Sequence, residues 1–168
     1  MISKRKGKLH RPMCALLLSL SVTVSTALPL PGAVVNAQDL AAASSVPEVL
    51  ITELVPDTTN VNDADGYEFI EVYNNTDRPM SFKDYKILYR YLESETVWVP
   101  VPEDVVIEPG KTLVLWIINT YNGEATVADF NANFQVNLIE NKDIVRIYSG
   151  GMANSRMREV VVMTNTGH

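Results

Sequence analysis

From Glu48 onward, apolar positions recur in runs of six to nine residues, each run ended by Pro, Gly, Asn or Asp. The runs are rich in β-branched and aromatic side chains, and several alternate apolar with polar, the period of a strand. The pattern predicts strands at 49–55 (VLITELV), 67–74 (YEFIEVYN), 85–92 (YKILYRYL), 96–101 (TVWVPV), 111–119 (KTLVLWIIN), 143–149 (DIVRIYS) and 159–164 (EVVVMT). Between them Asp65-Gly66, Asn75-Thr76-Asp77, Pro109-Gly110 and Gly150-Gly151 favour reversals. In YEFIEVYN, Ile70 and Val72 share one face and are expected in the core, while Phe69, Glu71 and Tyr73 share the other. KTLVLWIIN is apolar on both faces, so it is expected to be central and covered twice. Residues 126–134 (TVADFNANF) alone read as a helix, with Thr126 as cap and Ala128, Phe130 and Phe134 as its apolar stripe, placed over Trp116. The predicted fold class is all-β, an antiparallel two-sheet sandwich with one short helix.

Ahead of Glu48 the pattern changes. MISKRKGKLHRP carries five basic residues and no acid, and an apolar run follows from Met13 to about Val35. That is the layout of an export signal, and Val35-Asn36-Ala37 offers small residues where a signal peptidase reads, so cleavage after Ala37 is expected. Pro29, Pro31 and Gly32 interrupt the run and argue against an uncleaved anchor. The expected organisation is a signal peptide over 1–37, a flexible lead-in over 38–47 and one domain over 48–168, with the mature chain secreted or cell-surface and free of the membrane. After EVVVMT, Asn165-Thr166-Gly167 signals a turn into a further strand. The domain is therefore expected to be cut short at its C-terminus and to have an open sheet edge through which it self-associates.

Charge and chemistry narrow the function. The chain has 14 Lys+Arg against 20 Asp+Glu, and loss of the five basic residues of the leader takes the formal charge from −6 to −11. Such a surface repels phosphate backbones, so no nucleic-acid partner is expected. Cys14, the single cysteine, lies in the leader, and the two histidines are His10 and the terminal His168. The mature chain therefore has no disulfide, and the usual zinc sites and histidine-assisted nucleophiles cannot be built within it.

The stretch DADGYEFIEVYNNTDRP (63–79) concentrates carboxylates. With Gly66 as the sixth residue of a calcium loop, Asp63 and Asp65 fall correctly, but the first and twelfth positions are Val61 and Val72. An irregular calcium site from Asp57, Asn62, Asp63 and Asp65 is the remaining metal reading, set against a solvated turn. Glu68 and Glu71 point to opposite faces of a strand, so they make no acid–base pair, whereas Glu53 could face Glu71 if their strands pair. Trp98 with Tyr85, Tyr89 and Tyr91 suggests a sugar-stacking platform, against the plainer reading of cross-strand aromatic pairing. No catalytic, cofactor-binding or metal residue is assigned, and no cofactor is expected.

Three blocks in order, VLITELVPD (49–57), DGYEFIEVYNNTDRPMSFKDYKI (65–87) and VVIEPGKTLVLWI (105–117), resemble the lamin tail domain, and DIVRIYSGGMAN resembles its later strand and glycine turn. The resemblance covers about residues 48–165. It implies an immunoglobulin-like sandwich of the secreted bacterial type, often found beside exported hydrolases, acting as a non-catalytic recognition or attachment module for an unknown protein or cell-wall ligand. Two other functions stand beside it: the N-terminal accessory segment of a secreted phosphoesterase or nuclease whose catalytic domain is absent from this chain, and a carbohydrate- or calcium-binding module.

Overall fold

The structure, a computed structural model, describes residues 46–166. The expected signal peptide over 1–37 and most of the lead-in lie outside the described residues, as do Gly167 and His168. In chain order the strands are β1 (Val49–Val55), β2 (Asn60–Val61), β3 (Ala64–Asp65), β4 (Phe69–Asn74), β5 (Met80–Ser81), β6 (Tyr85–Tyr91), β7 (Ser94–Trp98), β8 (Pro100–Val101), β9 (Val106–Ile107) and β10 (Thr112–Ile118). Helix α1 (Val127–Phe134), β11 (Ile144–Tyr148) and β12 (Arg158–Thr164) complete it. The five-stranded sheet runs β1-β4-β10-β11-β8 and the three-stranded sheet β12-β6-β7, with two-stranded ladders β2-β3 and β5-β9 beside them.

The main core lies between the two larger sheets. Ile70 and Val72 of β4, Leu113, Leu115 and Ile117 of β10, and Val145 and Ile147 of β11 meet Ile87 and Tyr89 of β6 and Trp98 of β7. Val160 and Val162 of β12 pack against the same cluster. The expectation for Ile70 and Val72 holds, and β10 occupies the middle of its sheet as its two-faced apolar pattern required. The opposite face of β10 presents Val114, Trp116 and Ile118 to Val127 and Phe130 of α1. Trp116 is fully buried there, 5.2 Å from Phe130 between ring centroids, and its Nε1 donates to the Gly66 carbonyl at 3.1 Å.

Three details of pairing and packing depart from the sequence reading. The sheets are antiparallel except for β10 and β11, which pair in parallel with Ile118 opposite Tyr148. A parallel pair needs a crossover, and the segment carrying α1 supplies it, which is why that helix covers this sheet. The strand expected at 96–101 is two strands: β7 pairs with β6, then the chain changes sheets at Val99 and β8 pairs with β11. Pro100 has no N–H to continue the first ladder. The buried side of α1 is Val127 and Phe130 with half-buried Phe134, whereas Ala128 is exposed. The helix begins at a capping box, in which Asp129 N–H donates to Thr126 Oγ1 and Thr126 N–H to the Asp129 carboxylate. Strand β12, close to the expected 159–164, pairs with β6 through seven residues, from Arg158 opposite Tyr91 to Thr164 opposite Tyr85. Beyond it, Asn165 N–H donates to the Asp84 carbonyl at 2.9 Å.

Candidate functional site

The carboxylate-rich stretch begins as a tight hairpin. Asn62 and Asp63 link β2 to β3, both with positive φ (49° and 72°), the conformation of a two-residue turn whose twist matches its flanking strands. Asp63 is thereby a turn residue. Asp65 clasps two loops, its Oδ1 accepting from Thr58 N–H at 2.7 Å and its Oδ2 from Asn154 Nδ2 at 2.6 Å. Gly66 follows, and a Cβ there would sit 2.4 Å from Val61 Cγ2, so no larger residue fits. Its carbonyl accepts from fully buried Asn122 at 2.7 Å as well as from Trp116, while Asn119 Nδ2 donates to the Asp65 carbonyl at 2.8 Å. Asn62 reaches the Tyr121 carbonyl at 2.9 Å.

The strand registers explain this meeting. The segment before β4, the turn after β10 and the turn after β11 emerge at one end of the five-stranded sheet, because β4 is antiparallel to β10 and β11 is parallel to it. Residues 57–67, 119–125 and 148–157 thus form one loop surface, cross-linked by the asparagines and Asp65. Tyr121, on the turn after β10, and Tyr148, the last residue of β11, stand exposed. Sequence reasoning missed Asn119, Tyr121, Asn122, Tyr148 and Asn154; the NTYNG run after β10 was the available turn signal.

Glu68 is buried to 2% exposure beneath this surface. Its Oε1 accepts from Met152 N–H at 2.8 Å, and Gly151, at φ +94°, lies so close that a Cβ would be 2.7 Å from Oε2. Burial pushes the Glu68 carboxyl up to about 7; the Met152 hydrogen bond and the Arg158 charge oppose this, and the Asp65 charge adds to it. Glu68 therefore anchors the Gly150-Gly151 turn. Glu71 lies on the other face of β4, as expected, and its Oε1 accepts from Thr52 Oγ1 at 2.7 Å. Glu53 does stand opposite Glu71 in the β1–β4 register, after a bulge between Ile51 and Glu53, and is exposed. No group of three or more His, Cys, Asp or Glu is placed to hold a metal ion among the described residues.

The tyrosines of β6 share a face, as predicted, but that face is the core. Tyr89 stacks on Trp98 at 4.4 Å between centroids, and both are buried. Half-buried Tyr85 and Tyr91 pack against the same cluster, Tyr85 donating its hydroxyl to Glu48 at 2.9 Å. A sugar platform from these rings is overturned, because alternation turns residues 85, 87, 89 and 91 inward together. Tyr89 instead receives the Ala153 N–H at 2.8 Å, a second tether for the glycine turn. Between that turn and β7 lies a cleft of about 260 Å³ lined by Thr96, Val97, Tyr148 and Gly150 among others. Asn74-Asn75-Thr76 has the form of a glycosylation sequon, but Asn74 is fully buried and donates to the Arg78 and Ile107 carbonyls at 2.8 and 2.9 Å.

Sheet order and loop placement, with Asp65, Glu68 and Glu71 each accepting hydrogen bonds, describe an immunoglobulin-like module, and the model of the lamin tail domain matches residues 42–153. The chain belongs to the lamin tail domain family. The family is one of immunoglobulin-like, non-enzymatic domains, and the match contains every loop of the surface just described up to Ala153. Strand β12 lies beyond the matched segment yet pairs fully with β6. The chain is also 49% identical over 127 residues to a Bacillus subtilis protein designated uncharacterized protein YvnB. That stretch is 73% of this chain but 10% of YvnB, so this lamin tail chain spans about a tenth of its relative's length.

Proposed function

We propose that this lamin tail chain is a non-catalytic, extracytoplasmic recognition or attachment module that binds a protein or cell-wall ligand through the loop surface of 57–67, 119–125 and 148–157. The observation that carries this is a set of loops held to one another by Asn62, Asp65, Asn119, Asn122 and Asn154 while Tyr121 and Tyr148 stay exposed. Loops fixed before binding lose little entropy on contact, and tyrosine offers a large, amphipathic surface with few torsions to freeze. The basic and apolar leader of the sequence supports export.

Co-sedimentation with purified cell-wall sacculi tests the proposal. Retention of the protein, lowered about tenfold in a Tyr121→Ala/Tyr148→Ala variant, is the expected result. Failure of the wild type to bind would sink wall attachment, and equal binding by the variant would move the site elsewhere. A second reading, the accessory segment of a secreted phosphoesterase or nuclease, is favoured by the match to a small part of a much longer relative. In either reading this chain itself leaves phosphoesters and glycosides intact; hydrolysis abolished by Glu53→Gln or Glu71→Gln would refute that.

A further inference from the structure

Among the described residues Glu68 is the one buried carboxylate, and its cover is a short turn. Oε1 accepts from Met152 N–H at 2.8 Å, and Oε2 lies against Gly151. Two further hydrogen bonds tie the turn down: Ala153 N–H donates to the Tyr89 hydroxyl at 2.8 Å, and Asn154 Nδ2 to Asp65 at 2.6 Å. None of the three belongs to a strand ladder, whereas β4, β6 and β10 around them are laddered along their lengths. Gly150 leads the turn with nothing within 4 Å of where a Cβ would stand, and a cleft of about 260 Å³ lies between the turn and β7, so the turn has room to move outward. The smallest motion that returns water to Glu68 is therefore a lift of this turn.

The charged groups that act on the Glu68 carboxyl are Asp65 from β3 and Arg158 from β12. From β6 comes the Tyr89 hydroxyl, already engaged by Ala153, and Ser149 to Ala153 carry no titratable side chain. Arg158 has its Nε buried with no hydrogen-bond partner among the described residues.

We propose that Glu68 is a pH-operated latch on the 149–153 turn: protonated, it keeps the turn closed, and ionised, it favours a lifted turn in which water and the Arg158 guanidinium take up its charge. Burial raises the closed-state carboxyl from 4.5 to about 7, and a rehydrated carboxyl returns toward its ordinary value. The closed turn thus binds the proton more tightly than the lifted one. Its advantage is complete below about pH 4.5, falls about tenfold per pH unit, and levels off above about 7, a change on the order of 300-fold. Met152 also buries its side chain in the core, so the lifted turn is a minor population of the kind amide exchange reads. Tyr148 and Asn154 flank the turn, so lifting it unsettles one of the three loops of the proposed binding surface, and binding there should be tighter in acid. That consequence rests on the recognition reading; the latch itself is read without any ligand.

Hydrogen exchange of the Met152 and Ala153 amides, followed by NMR from about pH 4 to about pH 8 and corrected for the intrinsic rate, tests it. Their protection should fall on the order of 300-fold across that range. It should also be indifferent to urea below the unfolding transition, unlike that of the β10 amides, because a local opening exposes little surface. In Glu68→Gln the protection should not change with pH. Arg158→Gln should carry the fall to higher pH, since it removes a charge that favours the ionised form. Turn amides that exchange only together with β10, at the same rate and with the same urea dependence, overturn the latch. So does a fall that persists in Glu68→Gln. Arg158→Gln gives an independent reading if Glu68→Gln does not fold, and an unmoved midpoint there overturns the latch as well. Absent wall binding beside a working latch would count against the recognition reading alone.

Discussion

At Glu68 a carboxylate is buried where the fold needs an acceptor for Met152 N–H, and stability should report the cost of its charge. Its carboxyl is raised from an ordinary 4.5 to about 7 in the folded chain, so the folded state binds that proton more tightly than the unfolded one. The corresponding stability is fully present below about pH 4.5 and is lost as pH rises through about 7, an effect of about 3 kcal/mol. Glu68→Gln keeps an acceptor for Met152 and removes the titration, so it should flatten this contribution. Denaturant melts of both proteins at pH 5, 6, 7 and 8 check it; identical slopes with pH would show that Glu68 is not the group responsible. Trp116 is the other residue on which much rests. It fills the layer under α1, donates to Gly66 and lies 5.0 Å from the Arg146 guanidinium, so Trp116→Ala should cost about 3–5 kcal/mol in a denaturant melt. A loss under about 1 kcal/mol would mean the layer can close around the gap.

Among the elements, α1 is eight residues long, too short to persist without its cap and its buried side. Thr126→Ala breaks the reciprocal bonds with Asp129 and should lower stability by about 1 kcal/mol, whereas Ala128→Ser on the exposed side should change it by less than about 0.5 kcal/mol. Equal effects in thermal melts would mean the capping box contributes nothing. The identity of this helix was legible because Thr126 and the spacing of Phe130 and Phe134 are local signals. Its inward side was partly misread: Ala128 and Val127 are both apolar, and the larger valine takes the place against Trp116. The break at Val99 was masked for a related reason. TVWVPV is one apolar run, and only pairing with β6 before it and β11 after it divides the run between two sheets.

For the whole molecule, the informative test is β12, which lies past the segment matched by the family yet covers the core edge of β6. A chain ending at Ala153 would uncover Ile87 and Tyr89 by removing Val160 and Val162 and would leave β6 unpaired along one side. It should lose about 3 kcal/mol or more, and unpaired strand edges should make it aggregate on heating. Calorimetry and light scattering against the full chain decide this; an unchanged midpoint would make β12 an ornament of the fold.

The longer strands, the core faces of β4 and β10 and the helix were written in the chain, because alternation and capping act within a few residues. The two-sheet sandwich followed from the strands and their turns, and its immunoglobulin-like class from the resemblance of three ordered blocks to the lamin tail domain. What only the tertiary structure decided was which elements meet. Sequence spacing could place Tyr89 and Trp98 on one face but not say that this face is the core. It could align Glu53 with Glu71 only on the condition that their strands pair, and it could not foresee that Glu68 would be buried under a glycine turn 83 residues later. The loop surface of Asp65, Asn119, Asn122 and Asn154 is built from contacts as distant as 89 residues, between Asp65 and Asn154. Side chains of that kind are ordinary polar loop residues until two sheets fix their separation, since a hydrogen bond needs its partners within about 3 Å and local pattern carries no information on such distances.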